Sequence, residues 1–121
     1  MTVERIPQEP LTSDGPGMAG RTIVDPDDAG WQDVAVMEWE LSAAEWRDRH
    51  PHDELNFILE GELHVESGGT TVVAAVGDTV RVAGGSHGRY WAPVYARMLA
   101  VYGPNPDGAE SDSFSLRPLE S

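Results

Sequence analysis

Apolar and polar residues alternate along most of this chain, in short runs that glycine-rich turns separate. Alternation with a period of two is typical of a β-strand with one buried face, whereas an amphipathic helix repeats every 3.6 residues. The runs span residues 21–24, 34–41, 55–59, 62–66, 71–76, 79–82, 87–91 and 96–102. Short strands at this spacing predict an all-β, antiparallel sandwich or barrel, and no run has the length or period of a helix.

The two ends of the chain lack this alternation. Residues 7–20 are rich in Pro, Gly, Ser and Asp, so we predict a partly extended arm over residues 1–20. The folded domain is expected over 21–103, followed by a flexible acidic tail over 104–121. Residues 42–46 fit one helical turn or a loop, and Pro93 is expected to break a strand or to lie at a sheet edge.

Composition narrows the range of functions. A chain of 121 residues, of which 40% are hydrophobic, forms one domain with one core. The net charge of −13 and the absence of lysine predict a surface that repels nucleic acids and anionic membranes. Without cysteine, disulfides and thiolate chemistry are excluded. The chain starts with no signal-peptide pattern and has no membrane-length apolar run, so we expect a soluble cytoplasmic protein.

Metal-ligand residue types are concentrated just before the apolar run at 55–59. Asp48, His50, His52 and Glu54 follow one another at two-residue spacing, and a second glycine-rich turn leads into His87. Residues i and i+2 of an extended chain share one face. Three of the four histidines therefore fall in two segments that could deliver ligands to one interior site. The alternative is that these histidines are surface residues paired with neighbouring carboxylates.

The same segments resemble the two motifs of the cupin family. The first motif has two histidines at i and i+2, then a glutamate, then a glycine seven residues later, and Glu54 and Gly61 match its second half. The second motif has a Gly-Asp turn, a strand and a histidine, and the stretch from Gly77 to His87 matches it over a slightly shortened interval. This resemblance covers about residues 34–102 and implies an antiparallel double-stranded β-helix, the cupin jelly-roll barrel.

The first motif departs from the family pattern. With Gly61 and Glu54 aligned, the second family histidine falls on His50, the first falls on Asp48, and His52 is an extra imidazole. Alternatively, His50 and His52 form the pair and the following loop is shortened. Residues 85–93 and the strand end at 101–104 are also similar to the ethanolamine-utilisation type of cupin, whose members tend to lack the full histidine set.

The resemblance implies a metal site. His50, Glu54 and His87 would supply two imidazoles and one carboxylate, with His52 or Asp48 completing the set. Such donors suit divalent transition metals, namely Fe, Mn, Ni, Co or Zn, and do not select among them. Whichever of His52 and Asp48 is not a ligand is the candidate general base.

Strand parity predicts the residues that line the remaining pocket. Asn56 would follow Glu54 inward, while Arg89 and Trp91 would follow His87 on the opposite wall and Tyr90 would point away. These three inward residues are the predicted substrate contacts. Arg89 would bind a substrate carboxylate or form an ion pair with an acidic neighbour.

The function predicted from these residues is a metal-dependent enzyme acting on a small organic molecule, of the oxygenase, isomerase, lyase or cyclase type. The alternative is a non-catalytic cupin that binds a small ligand or serves as an assembly subunit. Because conventional cupins often pair through an outer sheet face, we expect a homodimer, with Phe57 and Leu59 as candidates for that face.

Overall fold

The computed structural model describes residues 2–27 and 29–119, and over these residues the fold is all β with no helix. All of the strand pairs are antiparallel. The strands are β1 (Thr12–Gly15), β2 (Met18–Val24), β3 (Ala35–Arg49), β4 (Glu54–Ser67), β5 (Thr70–Ala75), β6 (Thr79–Val82), β7 (His87–Tyr102) and β8 (Asp112–Pro118). The all-β, antiparallel prediction is confirmed.

Three long strands form the centre of the sheet. Strand β7 lies between β3 and β4, and the shorter strands extend the sheet outward from these three in the order β1-β2-β3-β7-β4-β5. Strand β6 pairs with the first residues of β4, and β8 pairs with the second half of β3. Because β3 and β4 both run antiparallel to β7, the end of β3 pairs with the start of β7 and the start of β4 pairs with its end. The short connection over residues 50–53 therefore brings these two ends of the sheet together.

The core is formed by alternate residues of these three strands. On β7 the inward positions carry Ala92, Ala96, Met98 and Ala100, whose mostly small side chains leave room for larger residues on the flanking strands. Leu41, Ile58 and Leu63 are completely buried and fill that space. Burying each such side chain contributes about 1.5–3 kcal/mol relative to leaving it exposed.

Strand β3 is longer than the alternation predicts. Residues 42–46, which fit a helical turn or a loop, continue β3 through a bulge at Ala43, where φ is +46° and the register with β7 shifts. Pro93 lies opposite this bulge and has no register partner on β3. A bulge tolerates a residue without a backbone N–H, so β7 continues through Pro93 and the expected break is wrong.

The terminal segments differ from the arm and tail that their polar composition predicts. Strand β2 pairs with β3 only as far as Leu41, which leaves the second half of β3 with an open edge. Strand β8 covers that edge, so Asp112–Pro118 is a paired strand and not part of a flexible tail. At the other terminus, β1 and β2 form a hairpin inside the predicted arm. Over residues 2–27 and 29–119, no helix has the length and apolarity that a membrane crossing requires.

Candidate metal centre

One imidazole and two carboxylates meet where β3 ends and β4 begins. Nε2 of His50 lies 2.8 Å from Oδ2 of Asp48 and 3.0 Å from Oε2 of Glu54. The three donor atoms all lie within 4.8 Å of one another, and Asp48 and Glu54 are buried. Asp48 comes from β3 and Glu54 from β4, and the short connection between these strands places His50 between the two carboxylates.

Buried donors from neighbouring side chains hold both carboxylates in place. Nε1 of Trp46 donates to Oδ2 of Asp48 at 2.7 Å. Nδ2 of Asn56 donates to Oε1 of Glu54 at 2.7 Å, and Nε1 of Trp39 donates to Oδ1 of Asn56 at 2.7 Å. Outer contacts of this kind fix the orientation of ligating side chains in metal sites.

In the metal-free protein the two carboxylates favour the protonated form of His50. Burial opposes protonation of His50, but its close contacts with the carboxylates of Asp48 and Glu54 outweigh burial and raise its pKa to about 10. The other ring nitrogen, Nδ1, lies 2.5 Å from the hydroxyl of Ser111. A metal ion bound by Nε2 would take the place of the Nε2 proton.

Two buried oxygens of the cluster, Oε2 of Glu54 and the hydroxyl of Tyr90, lack a hydrogen bond of normal geometry among the described residues, although the side chains of Tyr90 and Glu54 lie close enough to interact with each other. Burial, with the nearby carboxylates of Glu54 and Asp48, raises the pKa of Tyr90 far above its ordinary value. Buried polar atoms usually have hydrogen-bond partners, and a buried carboxylate oxygen without a well-formed hydrogen bond is costly. A divalent metal with nitrogen and oxygen ligands would compensate it, so the residues present fit such an ion.

The three donors open onto a small apolar cavity of about 150 Å³. Asp14 and Met18 from the β1–β2 hairpin and Phe114 from β8 form part of its wall, so both terminal segments complete the site. Phe114 also stacks on Trp46 with ring centroids 5.7 Å apart. The other lining residues are Met37, Trp39, Trp46 and Tyr102.

His52 packs against the ring of His50 but is not one of the three donors. Its ring stacks on the ring of His50 at a centroid distance of 4.9 Å, and its Nδ1 lies 3.1 Å from the carbonyl oxygen of Asp53. Burial lowers the pKa of His52. His52 lines a second cavity of about 190 Å³ on the other side of His50, together with Trp31 and Ser111. Asp48, rather than His52, therefore places a donor atom next to those of His50 and Glu54.

The predicted facing of β7 is wrong. His87, Arg89 and Trp91 lie on the outer face of the sheet, whereas Tyr90 is only 1% exposed and points inward. The buried run that ends in Ala96, Met98 and Ala100 sets the phase of the strand, and that phase extends back to Tyr90. Strand β7 thus brings Tyr90 to the cluster, and it carries His87 away from the other predicted ligands.

The remaining predicted contacts have structural partners of their own. Arg89 forms an ion pair with Glu45, and Trp91 packs against His64 with ring centroids 5.2 Å apart. Asn56 does face inward, as predicted, but it bonds to Glu54 and Trp39.

The Gly84–Gly85 turn also reaches the site, although through its backbone and not through His87. The amide of Gly85 donates to the carbonyl of His50 at 2.7 Å, and the amide of Gly84 donates to Oδ1 of Asp53 at 2.8 Å. These bonds hold the segment that presents His50.

Sequence reasoning missed Trp46, Tyr90, Ser111 and Phe114 as site residues. Trp46 has the parity of Asp48, so it could have been found if residues 42–46 had been assigned to β3. Tyr90 could have been found by extending the phase of the apolar run at 96–100. Ser111 and Phe114 had no such signal, because their role depends on the pairing of β8 with a distant strand.

An all-antiparallel β fold whose β3–β4 junction delivers acidic and imidazole donors to an interior cavity is that of a cupin. An RmlC-like cupin from Shewanella frigidimarina superposes with a TM-score of 0.66 at 19% identity, covering 80% of this chain and 85% of that one. KdgF from a Halomonas species superposes with a TM-score of 0.65 at 17% identity, covering 82% and 89%. At these identities the likeness concerns the fold alone.

Sequence comparison assigns the chain to one family within the cupins. The model of the ethanolamine utilisation protein EutQ family matches residues 8–107, and this chain belongs to that family. The protein named acetate kinase EutQ in Salmonella typhimurium is 32% identical over 82 residues, which are 68% of this chain and 35% of that protein. A solved ethanolamine utilisation protein Q from Salmonella typhimurium has a TM-score of 0.63 at 26% identity, covering 72% and 69%. The chain spans about a third of the length of the curated relatives it matches.

Proposed function

We propose that this chain is a metal-dependent cupin that binds one divalent transition metal ion through Asp48, His50 and Glu54 and acts on a small organic molecule. The observation that carries the proposal is the buried Oε2 of Glu54. It has no hydrogen bond of normal geometry among the described residues, yet it lies 3.0 Å from Nε2 of His50. Two carboxylates and an imidazole at this spacing form a chelating set.

This ligand assignment favours Asp48 over His52 and leaves out His87. Fe, Mn, Ni, Co and Zn all accept one imidazole and two carboxylates. A bound ion would act as a Lewis acid or lower the pKa of a coordinated water. Trp46 and Asn56 orient the two carboxylates, and His52 supports the ring of His50 by stacking on it.

The substrate would occupy the cavity of about 150 Å³ in front of these donors. Its aromatic and methionine walls favour a small, partly apolar molecule and exclude water from the reacting groups. Oxygenase, isomerase, lyase and cyclase chemistries all fit this arrangement, because one fold supports many reactions. Asn56, Arg89 and Trp91 are not part of the proposed substrate contacts, because they do not line this cavity.

We do not extend the acetate kinase activity in the relatives' name to this chain. The match covers about a third of those proteins. In addition, the carboxylates of Asp48, Glu54 and Asp14 at the cavity would repel the phosphates of a nucleotide.

Elemental analysis of the purified protein tests the proposal. We expect about one transition metal ion per chain, removal of that ion by chelator, and a lower melting temperature in the stripped protein. The variant His50→Ala should lose the metal, while His87→Ala should keep it. Substoichiometric metal that does not change in His50→Ala would contradict the proposal.

A non-catalytic, metal-free cupin is the second candidate, because the protonated ring of His50 already lies within ion-pair distance of both carboxylates. In that case small ligands would raise the melting temperature of the protein without any metal. The homodimer also remains a proposal. Phe57 points outward and is 41% exposed, and light scattering would test whether this face pairs two chains.

A further inference from the structure

The outer face of the sheet carries a second carboxylate-centred cluster, around Glu45. This side chain has no exposed area. Its Oε2 accepts hydrogen bonds from Nε of Arg117 at 2.6 Å and from Nε of Arg47 at 3.1 Å, and its Oε1 accepts from Nε of Arg89. Three of the eight arginines thus surround one carboxylate, in a chain whose net charge is −13.

The guanidinium groups of Arg47 and Arg89 are each bonded on the Nε side only. Each bonds to Glu45 through Nε, and the terminal nitrogens of both have no hydrogen bond to any residue in 2–27 or 29–119. The two residues are register partners on β3 and β7, so their side chains lie next to each other on the outer face. Arg89 is further fixed over the ring of Trp91, at 4.2 Å from its centroid.

Both guanidinium groups line one cavity of about 330 Å³, together with His87 and Ser113. Like charges directly opposite each other on neighbouring strands are destabilising, and the carboxylate of Glu45 offsets this repulsion at the Nε side of both arginines. Planar guanidinium groups with free terminal N–H donors match the oxygens of carboxylates and phosphates. Glu45 therefore fixes the orientation of the two guanidinium groups that line this cavity.

We propose that the cavity between Arg47 and Arg89 binds a small oxyanion, a phosphate monoester or a carboxylate. Glu66 and Asp48 also line the cavity, so the formal charges of its lining residues sum to zero and the attraction for an anion comes from the oriented guanidinium groups. The carboxylate of Asp48 is bonded to Trp46 and His50 on the inner side. The site therefore suits one phosphate or carboxylate group and does not suit a polyphosphate chain. This inference concerns the opposite face of the sheet and does not depend on a metal.

Titration of the ¹⁵N-labelled full chain, followed by NMR at constant ionic strength, tests the site. Inorganic phosphate is the probe in one arm and succinate in the other, so that the preferred oxyanion is identified. We expect saturable shifts of the amide signals of residues 45–49, 87–91 and 113 with at least one probe. Because this map is measured on the unaltered protein, it does not depend on whether any variant folds.

The variants Arg47→Gln and Arg89→Gln should each bind the responsive probe about tenfold more weakly, since each loses a charge-assisted fork. Arg81→Gln is the matched control, because it removes the same charge from an arginine bonded to Asp53 on another part of the surface, and its affinity should not change. Shifts that do not saturate with either probe, shifts centred away from these residues, or equal weakening in all three variants would overturn the proposal.

Discussion

Two carboxylate-centred clusters lie three residues apart on β3 but on opposite faces of the sheet. Around Glu45, three guanidinium groups surround one carboxylate, and both of its oxygens accept hydrogen bonds. Around His50, two carboxylates share one imidazole, and Oε2 of Glu54 has no hydrogen bond of normal geometry among the described residues. Both oxygens of the outer carboxylate have donors, whereas one oxygen of the inner Glu54 lacks a donor of normal geometry among the described residues.

This difference separates a carboxylate that needs no further cation from one that we propose is a metal ligand. A carboxylate with a full set of donors favours the folded state and has little capacity to bind a cation. A buried carboxylate that lacks donors reduces stability unless a ligand compensates it, so its presence points to a ligand. Four substitutions test this contrast, and they follow in order of decreasing expected effect.

The largest effect is expected for the inner carboxylate as a metal ligand. The variant Glu54→Gln should bind Zn²⁺ at least about 100-fold more weakly, because an anionic ligand is lost, and loss of a supporting outer contact alone costs 10–100-fold. Competition against a zinc-binding dye measures this. Glu62→Gln on the same strand, whose side chain is 59% exposed, is the matched control and should match the unaltered protein. Equal affinity in both variants would mean that Glu54 is not a ligand.

Within the inner cluster, the hydrogen bonds that hold Glu54 in place are expected to contribute most to the stability of the protein. Asn56→Ala leaves Nε1 of Trp39 and Oε1 of Glu54 buried without their shared partner, so we expect a loss of about 2–3 kcal/mol in the free energy of unfolding. Urea denaturation measures it. Thr79→Ala, at an exposed position on β6, should change the same quantity by less than about 0.5 kcal/mol. A loss for Asn56→Ala as small as that would show that the hydrogen-bonded chain contributes little.

The contribution of the outer cluster to the free energy of unfolding should depend on pH in the acid range. Burial alone would raise the pKa of Glu45, but hydrogen bonds from Arg117, Arg89 and Arg47 outweigh it and lower the pKa from 4.5 to about 2. A folded-state pKa below the unfolded value means that the stabilisation is fully present above pH 4.5 and is lost as the pH falls towards 2.

Comparison of Glu45→Gln with the unaltered protein isolates this contribution. At neutral pH the variant should be less stable by on the order of 1–2 kcal/mol, allowing for solvent screening at the partly exposed arginines. Between pH 4.5 and 2 the two stability curves should converge. Chemical denaturation at a series of pH values measures both, and parallel curves would contradict the role assigned to Glu45.

The smallest effect is expected for the unpartnered hydroxyl beside the inner cluster. Tyr90→Phe removes a buried group that has no hydrogen bond of normal geometry, so the metal-free protein should keep its stability or gain up to about 1 kcal/mol. Tyr95→Phe removes a hydroxyl that donates to Oε2 of Glu40 at 2.7 Å, and should lose about 1 kcal/mol. A larger loss for Tyr90→Phe than for Tyr95→Phe in urea denaturation would reverse this reasoning.

Much of this organisation could be predicted from local pattern. Period-two alternation predicts the all-β fold, and the spacing of Asp48, His50 and Glu54 predicts that their side chains share a face. Both inferences need only the geometry of one strand. The prediction failed where a strand crosses an irregularity: the bulge at Ala43 and the proline opposite it hide the continuity of β3 and β7.

The remaining errors come from long-range pairing. The facing of His87 is set by the apolar residues further along β7, and a family motif with a shortened interval gave the opposite phase. Strand β8 has a polar sequence that predicts a tail, yet it pairs with the open edge of β3 and carries Phe114 to the cavity wall. The composition of a segment does not indicate which sheet edge elsewhere in the chain is open for pairing.

X-ray absorption spectroscopy of the zinc-loaded protein tests the central claim most directly, because it counts imidazole ligands at the metal. The structure predicts one imidazole, from His50, with oxygen ligands from Asp48 and Glu54 making up the rest of the coordination sphere. A zinc ion bound by two or three imidazoles would instead place His52 or His87 at the metal, and would contradict this account. The account would also be contradicted if the protein failed to retain zinc when one ion per chain is supplied.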